Sequence, residues 1–520
     1  MAAYGIDLGT TNSCVAIVGK DGEPHVVNNL SGFQTTPSVV YFSEDGCVLV
    51  GDEAKQLMAT DPIRTVECIK REIGNDKYRR SIDGEAITPL KISAMILKKL
   101  VADANEVRSE DGEMPVKDVV ITVPAYFGSR EREITRQAGE VAGLNVLGVL
   151  PEPTAAAISY GVRDLNGKTF MIYDLGGGTF DISIMRANNG VLEELANDGD
   201  HKLGGKDWDI CLLDHILESH GIPSYLEQRD ISNSGELGRM ILSAENFKKR
   251  LSNTEEVNAR IMYKNRNYVT KVTREDFEEM TEDRVESTIM LMKRAIKNSR
   301  VPLKAADIDE IILVGGSSYM PMISRAVMEA FPNARIRRDA LKPNLAIAEG
   351  AAIYAANPNV VKQGEVQNTH ANSGNAPATG APIKIVSPCS YGLCCIRNGE
   401  QVVTNIIRRG ELTGTTHSQD FVTSTPNQKD ILLSIYENRD YGEQTRLTIS
   451  RLLTENVLNL GAAFPKGTPI KVVFTLNTNG ILEVYGECMG RKTSFSVQVQ
   501  GATDKEVENA KLELGGHDVV

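Results

Sequence analysis

The fold class predicted from this sequence is a pair of similar α/β lobes facing one cleft, followed by a small all-β domain. Three observations predict it. A glycine-rich turn joins two strand-like runs in Asp174-Leu-Gly-Gly-Gly-Thr-Phe-Asp181. The same layout stands near the N-terminus in Asp7-Leu-Gly-Thr-Thr-Asn12. Beyond about residue 381 the apolar pattern changes to the period-two alternation of β-strands.

The central turn carries the chemistry. Runs 170–175 and 180–185 read as strands joined through Gly176, Gly177 and Gly178. Glycine tolerates positive φ and close approach of backbone to an anion, so successive amides can face phosphate oxygens. Asp174 and Asp181 flank the turn as candidates to hold a hydrated Mg²⁺, and Thr179 adds a hydroxyl. Standing alone, such a match also reads as a tight hairpin with surface acids.

It does not stand alone. Laying Asp7 on Asp174 aligns Leu8 with Leu175, Gly9 with Gly176 and Ile17 with Ile184. Two more pairs follow in the same order. Run 119–123 with Pro124-Ala125-Tyr126 lies over run 311–314 with Gly315-Gly316-Ser317, and Pro153-Thr-Ala-Ala-Ala resembles Pro343-Asn-Leu-Ala-Ile. Internal repetition says more about architecture than any single motif. Two lobes, each with a phosphate-facing hairpin, imply a cleft that closes on a nucleotide from both sides.

A chain of 520 residues is long enough for two or more domains, each with its own core. A net charge of −12 counts against nucleic acid as the main ligand, because phosphate-backbone binders need basic surfaces. No run approaches the ~20 apolar residues of a membrane helix. The first strand is predicted from Tyr4, which leaves no room for a signal peptide, so a cytoplasmic location is expected. The eight cysteines show no zinc-like spacing and read as free thiols.

In chain order, Lys70 lies in the short helical stretch Cys68-Ile-Lys-Arg-Glu-Ile-Gly74, where pattern alone gives it no role. Runs 95–107 and 130–142 have helical spacing, and 119–123 reads as a buried central strand. Glu152, between Pro151 and Pro153, is held on a stiff segment where a helix begins, with Thr154 as a plausible cap. Such an acid could position a water or a metal, or merely favour the helix dipole. A helix-rich span is expected over 208–300. Within it Glu245, Lys248, Lys249 and Ser252 share one helical face, which most often means solvated surface. Residues 345–356 form an alanine-rich helix closing the second lobe. Residues 357–381 read as a flexible linker. Strands are then expected at 402–407, 431–436, 445–449, 470–476, 481–485 and 493–499, with a hairpin turn at Asn477-Thr-Asn-Gly480. Thr503-Asp-Lys-Glu506 reads as a capping box opening one short helix that Gly515-Gly516 stops.

With these motifs assembled, the chain resembles the DnaK-type heat-shock protein seventy chaperones, within the actin and hexokinase ATPase superfamily. The residues concerned are Ile6-Asp-Leu-Gly-Thr-Thr-Asn-Ser13, Val120-Ile-Thr-Val-Pro-Ala-Tyr-Phe127, Pro151-Glu-Pro-Thr-Ala-Ala-Ala157, the central glycine turn and Leu313-Val-Gly-Gly-Ser317. The resemblance implies an actin-like, ribonuclease-H-like ATPase domain at 1–357, a linker at 358–386, a β-sandwich peptide-binding domain at 387–500 and a short helix and tail at 501–520. It further implies ATP or ADP with Mg²⁺, and allows K⁺. The metal's waters would meet Asp7, Asp174 and Asp181, while Gly9, Thr10, Thr11, Asn12, Thr179 and the glycine amides would hold phosphates. Lys70 would orient the attacking water and Glu152 would stand beside metal and water, with Asp181 and Thr179 sharing the catalytic work. Glu245, Lys248, Lys249 and Ser252 would grip adenosine opposite Gly315, Gly316, Ser317 and Tyr319. An extended peptide of an unfolded protein would contact Leu393, Cys395, Ile396, Phe421, Ser424, Ile431 and Leu433. Without the resemblance those seven read as sandwich core. A J-domain co-chaperone and an exchange factor are the partners it allows, with no nucleic acid or membrane.

The sequence departs from the family pattern in four places. Tyr319 and Asn344 replace the usual arginine and acid. The usual acidic-hydrophobic linker reads Ala381-Pro-Ile-Lys-Ile-Val386, and few residues follow Val499 to form a lid. The expected function is an ATP-dependent chaperone that grips extended hydrophobic peptides under the control of Mg·ATP. A nucleotide-gated scaffold with weak ATPase, and a small-molecule kinase on the same scaffold, are the alternatives.

Overall fold

The computed structural model describes residues 2–520 except 76, 162–163, 189–190, 201, 226, 228–234, 338–341, 357–385, 388, 477–481, 489, 498–500 and 518. Its two lobes repeat one sheet topology. In lobe one, Tyr4–Asp7 pairs antiparallel with Asn12–Val18 and parallel with Asp118–Val123. Pro24–Val27 and Asn145–Pro151 lie on the outer sides. In lobe two, Thr169–Leu175 pairs antiparallel with Phe180–Asn188 and parallel with Glu310–Val314, flanked by Val191–Asp200 and Arg335–Arg337. The expected overlay of 119–123 on 311–314 is therefore an overlay of equivalent strands. Both are fully buried, as unbroken apolar runs in mid-sheet should be.

The helices Glu152–Ser159 and Ala346–Ala355 meet between the lobes, and both are built largely of alanine. Small side chains let the backbones touch. A Cβ on Gly350 would fall within bonding distance of the Ala155 carbonyl. Pro151 stands at the N-cap of the first helix without a side-chain cap, so Thr154 does not play the capping role expected of it.

The span 208–300 is less helical than its pattern suggests. Helices Gly205–Glu218, Gly235–Leu251, Arg274–Met280 and Glu282–Lys297 are interrupted by a hairpin of Glu256–Tyr263 with Arg266–Thr273. Alternation of buried Val257, Ala259 and Ile261 with exposed residues is the strand signal that charged neighbours obscured. In the β-domain, Ser390–Arg397, Thr415–Val422 and Arg451–Phe464 join the expected strands. Run 445–449 is corrected to a three-residue strand, Gln444–Arg446, followed by a turn of 3₁₀ helix at Leu447–Ile449. A five-stranded and a four-stranded sheet enclose one apolar core. The expected linker falls outside the described residues except for Val386, which bridges Leu412. The turn 477–480 also lies outside them, although the strands on either side pair antiparallel.

The sandwich rests on both lobes. Glu437 accepts hydrogen bonds from the amide and hydroxyl of Ser129, the first residue of helix Ser129–Val141. Gly128 at that N-cap has no side chain, so the carboxylate that satisfies the helix terminus comes from the sandwich. Arg439 donates to the Tyr126 carbonyl at 2.7 Å, and Arg409 pairs with Glu194 of lobe two at 3.4 Å. No helix of the described residues is long and apolar enough to cross a membrane.

The contact between the alanine helices yields a stability prediction. Gly350→Ala should lower the free energy of unfolding by about 1–3 kcal/mol, because neither backbone can yield. Urea titration of the two proteins measures it.

Candidate functional site

A cavity of about 780 Å³ opens between the lobes. Its walls bring together Asp7, Gly9, Thr10, Thr11, Asn12, Lys70 and Glu152 from lobe one with Asp174, Gly176, Gly177, Gly178 and Thr179 from lobe two. Its far end is lined by Glu245, Lys248, Lys249, Ser252, Gly315, Gly316, Ser317 and Tyr319. Asp181 is not on the wall; it is the cross-strand partner of Asp174 in the hairpin register.

The two turns are packed against each other. A Cβ on Gly177 would lie 2.5 Å from the Thr11 hydroxyl, and one on Gly178 would lie 2.9 Å from Thr10. Gly315 has φ +82, and a side chain there would strike the Leu175 carbonyl. Glycine is thus required at 177 and 178 by the approach of one lobe to the other, and at 315 by packing within lobe two. The Thr11 hydroxyl is buried and has no hydrogen-bond partner among the described residues. An oxygen-rich ligand in the cavity would satisfy it.

Lys70 is 6% exposed and forms a buried ion pair with Glu152, which opens the helix Glu152–Ser159. Burial opposes the ammonium charge, but Glu152 and Asp7 outweigh it and raise the pKa. The acids are raised as well, which for them favours the neutral form. Loss of water, and then the charge of Glu152, lift Asp7 and Asp181 each to about 7. Asp174 is raised well above the carboxylate range by burial, Glu152, Asp181 and Asp7 together. Four acids around one lysine leave negative charge uncompensated. A hard divalent cation with oxygen preference, such as Mg²⁺, fits this donor set. Among the described residues no group of three or more His, Cys, Asp or Glu side chains is placed to hold a metal ion directly.

At the far end Glu245 joins Lys55 of lobe one and Lys249 of its own helix, each at 2.7 Å. Lys248 pairs with Asp209 at 2.7 Å and donates to the Gly205 carbonyl, so it braces the wall and its charge is already met. The Tyr319 hydroxyl donates to Asn344 Oδ1 at 3.0 Å, joining the two positions where the sequence departs from the resembled pattern.

Three residues were missed by sequence reasoning. Arg71 donates to the Gly178 carbonyl and ties the lobe-two turn to lobe one. Lys206 spans the cleft to Glu67 at 2.6 Å, and Asp209 anchors Lys248. The adjacency of Arg71 to Lys70 and the Gly-Gly-Lys-Asp-Trp-Asp run were the available signals, but neither says which lobe lies opposite.

The seven residues expected to face a peptide are not gathered in one open channel. Leu393 and Leu433 lie in the sandwich core at 5% and 1% exposure, which corrects the expectation that they face a peptide in this arrangement. Phe421 and Ile431 pack partly against that core from opposite sheets. Cys395 is half-buried with its thiol 3.0 Å from the Thr404 hydroxyl, Ile396 is 64% exposed, and the Ser424 amide donates to Gln428.

The bridge at Glu245 sets an acid dependence. Burial favours its neutral form, but Lys55 and Lys249 prevail and hold the carboxyl down to about 2. Its stabilisation, on the order of 2 kcal/mol, is present above the unfolded carboxyl range and lost as pH falls towards 2. Glu245→Gln should therefore melt below the parent at neutral pH, with the gap closing between about pH 4.5 and 2. Melting temperature against pH for both proteins checks it.

A family model described as Hsp70 protein matches the chain over residues 3–83 and 75–514.

Proposed function

This chain belongs to the Hsp70 family, and we propose that it binds extended hydrophobic peptide segments under the control of ATP binding and hydrolysis. Members of the family are generally ATPases, and ATP-dependent chaperone activity follows at that coarse level. The observation that carries the finer reading is the meeting of two duplicated glycine turns over a buried Lys70–Glu152 pair.

On this reading ATP lies along the cavity with its phosphates against the turns. Amides of residues 9–12 and 176–179 would direct dipoles at the phosphate oxygens, which costs no reorganisation because the turns are already locked together. Mg²⁺, when bound, would supply charge neutralisation along the phosphates, held through water by Asp7, Asp174 and Asp181. Glu152 holds the Lys70 ammonium at one place in the cleft, where it can fix an attacking water for in-line displacement. Glu245, Lys249, Ser252 and Tyr319 would surround the adenosine, with the neutral Tyr319 ring available for stacking.

The sandwich docked through Glu437 and Arg439 supports a coupled chaperone over a small-molecule kinase, which would leave that domain without work. Ile396, Cys395 and Phe421 offer the accessible apolar surface for an extended peptide, while Leu393 and Leu433 would be reached only if the sandwich opens.

Peptide release measured with ATP, with ADP and without nucleotide tests the reading. Release should quicken with ATP, and identical rates in all three conditions would defeat it. Lys70→Ala should keep ATP affinity within a few-fold and lower turnover by about 100-fold or more. Calorimetry and single-turnover phosphate release separate those two effects. Glu152→Gln, which frees Lys70 from its partner, should likewise slow turnover more than binding.

A further inference from the structure

The loop that carries Lys70 is pinned to lobe two on either side of that lysine. It leaves strand Thr65–Glu67, passes through Cys68 and continues as a turn of 3₁₀ helix, Ile69–Glu72. Glu67 pairs with Val39 in the strand register and Ile69 lies in the lobe-one core, so the loop itself belongs to lobe one. Its charged side chains reach different partners. Lys70 meets Glu152, whereas Glu67 meets the Lys206 ammonium at 2.6 Å and Arg71 donates to the Gly178 carbonyl. Lys206 and Gly178 both belong to lobe two.

Lys206 stands where a lysine is unfavourable without a partner. It is the second residue of helix Gly205–Glu218, whose N-terminal amides repel a cation. The first two amides of that helix donate to the lobe-two turn, Gly205 to the Gly176 carbonyl at 3.0 Å and Lys206 to the Gly177 carbonyl at 2.9 Å. The backbone of Lys206 is thus held against the glycine turn and its side chain against the Lys70 loop. Burial opposes its charge, but Glu67 prevails and raises the pKa. Between Glu67 and Lys70 stands Cys68 with φ +55, a left-handed turn that a residue with a Cβ adopts only where its surroundings enforce it. With Glu67 released, the loop can relax at this turn, and Lys70 lies two residues further on.

We propose that the Glu67–Lys206 pair is a positioning device for Lys70, fixing the loop in the setting that places the Lys70 ammonium beside Glu152 and the phosphate turns. Lys206 acts on turnover through that loop and not on the phosphates, its charge being already met by Glu67. This role rests on the nucleotide reading above, whereas the pinning of the loop does not.

A pair that works as a unit is recovered by exchanging its two charges. Lys206→Glu and Glu67→Lys should each slow single-turnover ATP hydrolysis about tenfold or more, with ATP affinity by calorimetry within about threefold of the parent. The double variant carrying both substitutions should regain turnover to within about threefold. A loss of affinity as large as the loss of turnover, or no recovery in the double variant, overturns the proposal. Hydrogen exchange of the full chain without nucleotide reads the loop directly. The Arg71 and Ile73 amides, which donate to the Cys68 and Lys70 carbonyls, should exchange at least about tenfold faster in Lys206→Glu and return to the parent rate in the double variant. Amides of strand Asp118–Val123 should be unchanged, which separates a local effect from loss of the fold. Unaltered exchange at Arg71 and Ile73, or equal acceleration in the strand, also overturns the proposal. Absence of ATP binding in calorimetry of the parent would defeat the proposed function, and the nucleotide-free measurement would still decide whether the pair fixes the loop.

Discussion

The arrangement depends on one electrostatic constraint: a single lysine set among four acids at the floor of a cleft. Lys70 neutralises one charge, and Glu152 is its direct partner. Asp7, Asp174 and Asp181 are buried beside the charge of Glu152, and loss of water first, then that charge, drives their carboxyls upward. A buried ion pair is not in itself a source of stability, because desolvation consumes most of the Coulombic gain. On the proposed function, the surplus negative charge would attract a divalent cation, and the cation would make a triphosphate tolerable beside carboxylates.

The duplicated sheets place that constraint. Each lobe presents its first hairpin to the cleft at the same topological position, so two turns of similar shape face one another. Gly177 and Gly178 touch Thr11 and Thr10, and Arg71 secures the far side of the turn. If phosphates bind as proposed, closure of the lobes would complete their site. The bridges from Lys55 to Glu245 and from Lys206 to Glu67 add to these contacts between the lobes.

The cleft and the sandwich are joined by a short stretch of chain. Pro124 lines the cavity, the Tyr126 carbonyl accepts from Arg439, and Ser129 donates to Glu437. Both sandwich partners stand at or just past the end of strand Gln428–Asn438, which also carries Ile431 and Leu433. On the proposed function this stretch would carry the coupling, since a helix terminus loses its acceptor if Glu437 withdraws.

Much of this was legible in the chain itself. Asp7 and Asp174 could be aligned, and the strands, the turns and the capping box at Thr503 followed from period and residue type. These are local properties, decided by which residues tolerate positive φ, which alternate and which satisfy a helix end. The hairpin after Glu256 was obscured because charged residues occupy its exposed face, and Leu393 and Leu433 could not be told from channel residues because both roles require the same apolar side chain. Arg71, Lys206 and Glu437 carry no signature at all, since an isolated charge announces neither its partner nor its burial. The sequence by itself determined the two-lobed plan, the glycine turns and the sandwich. Only tertiary structure decided which charges meet across the cleft, where the sandwich docks and that the last helix belongs to lobe one, because those contacts join residues hundreds of positions apart.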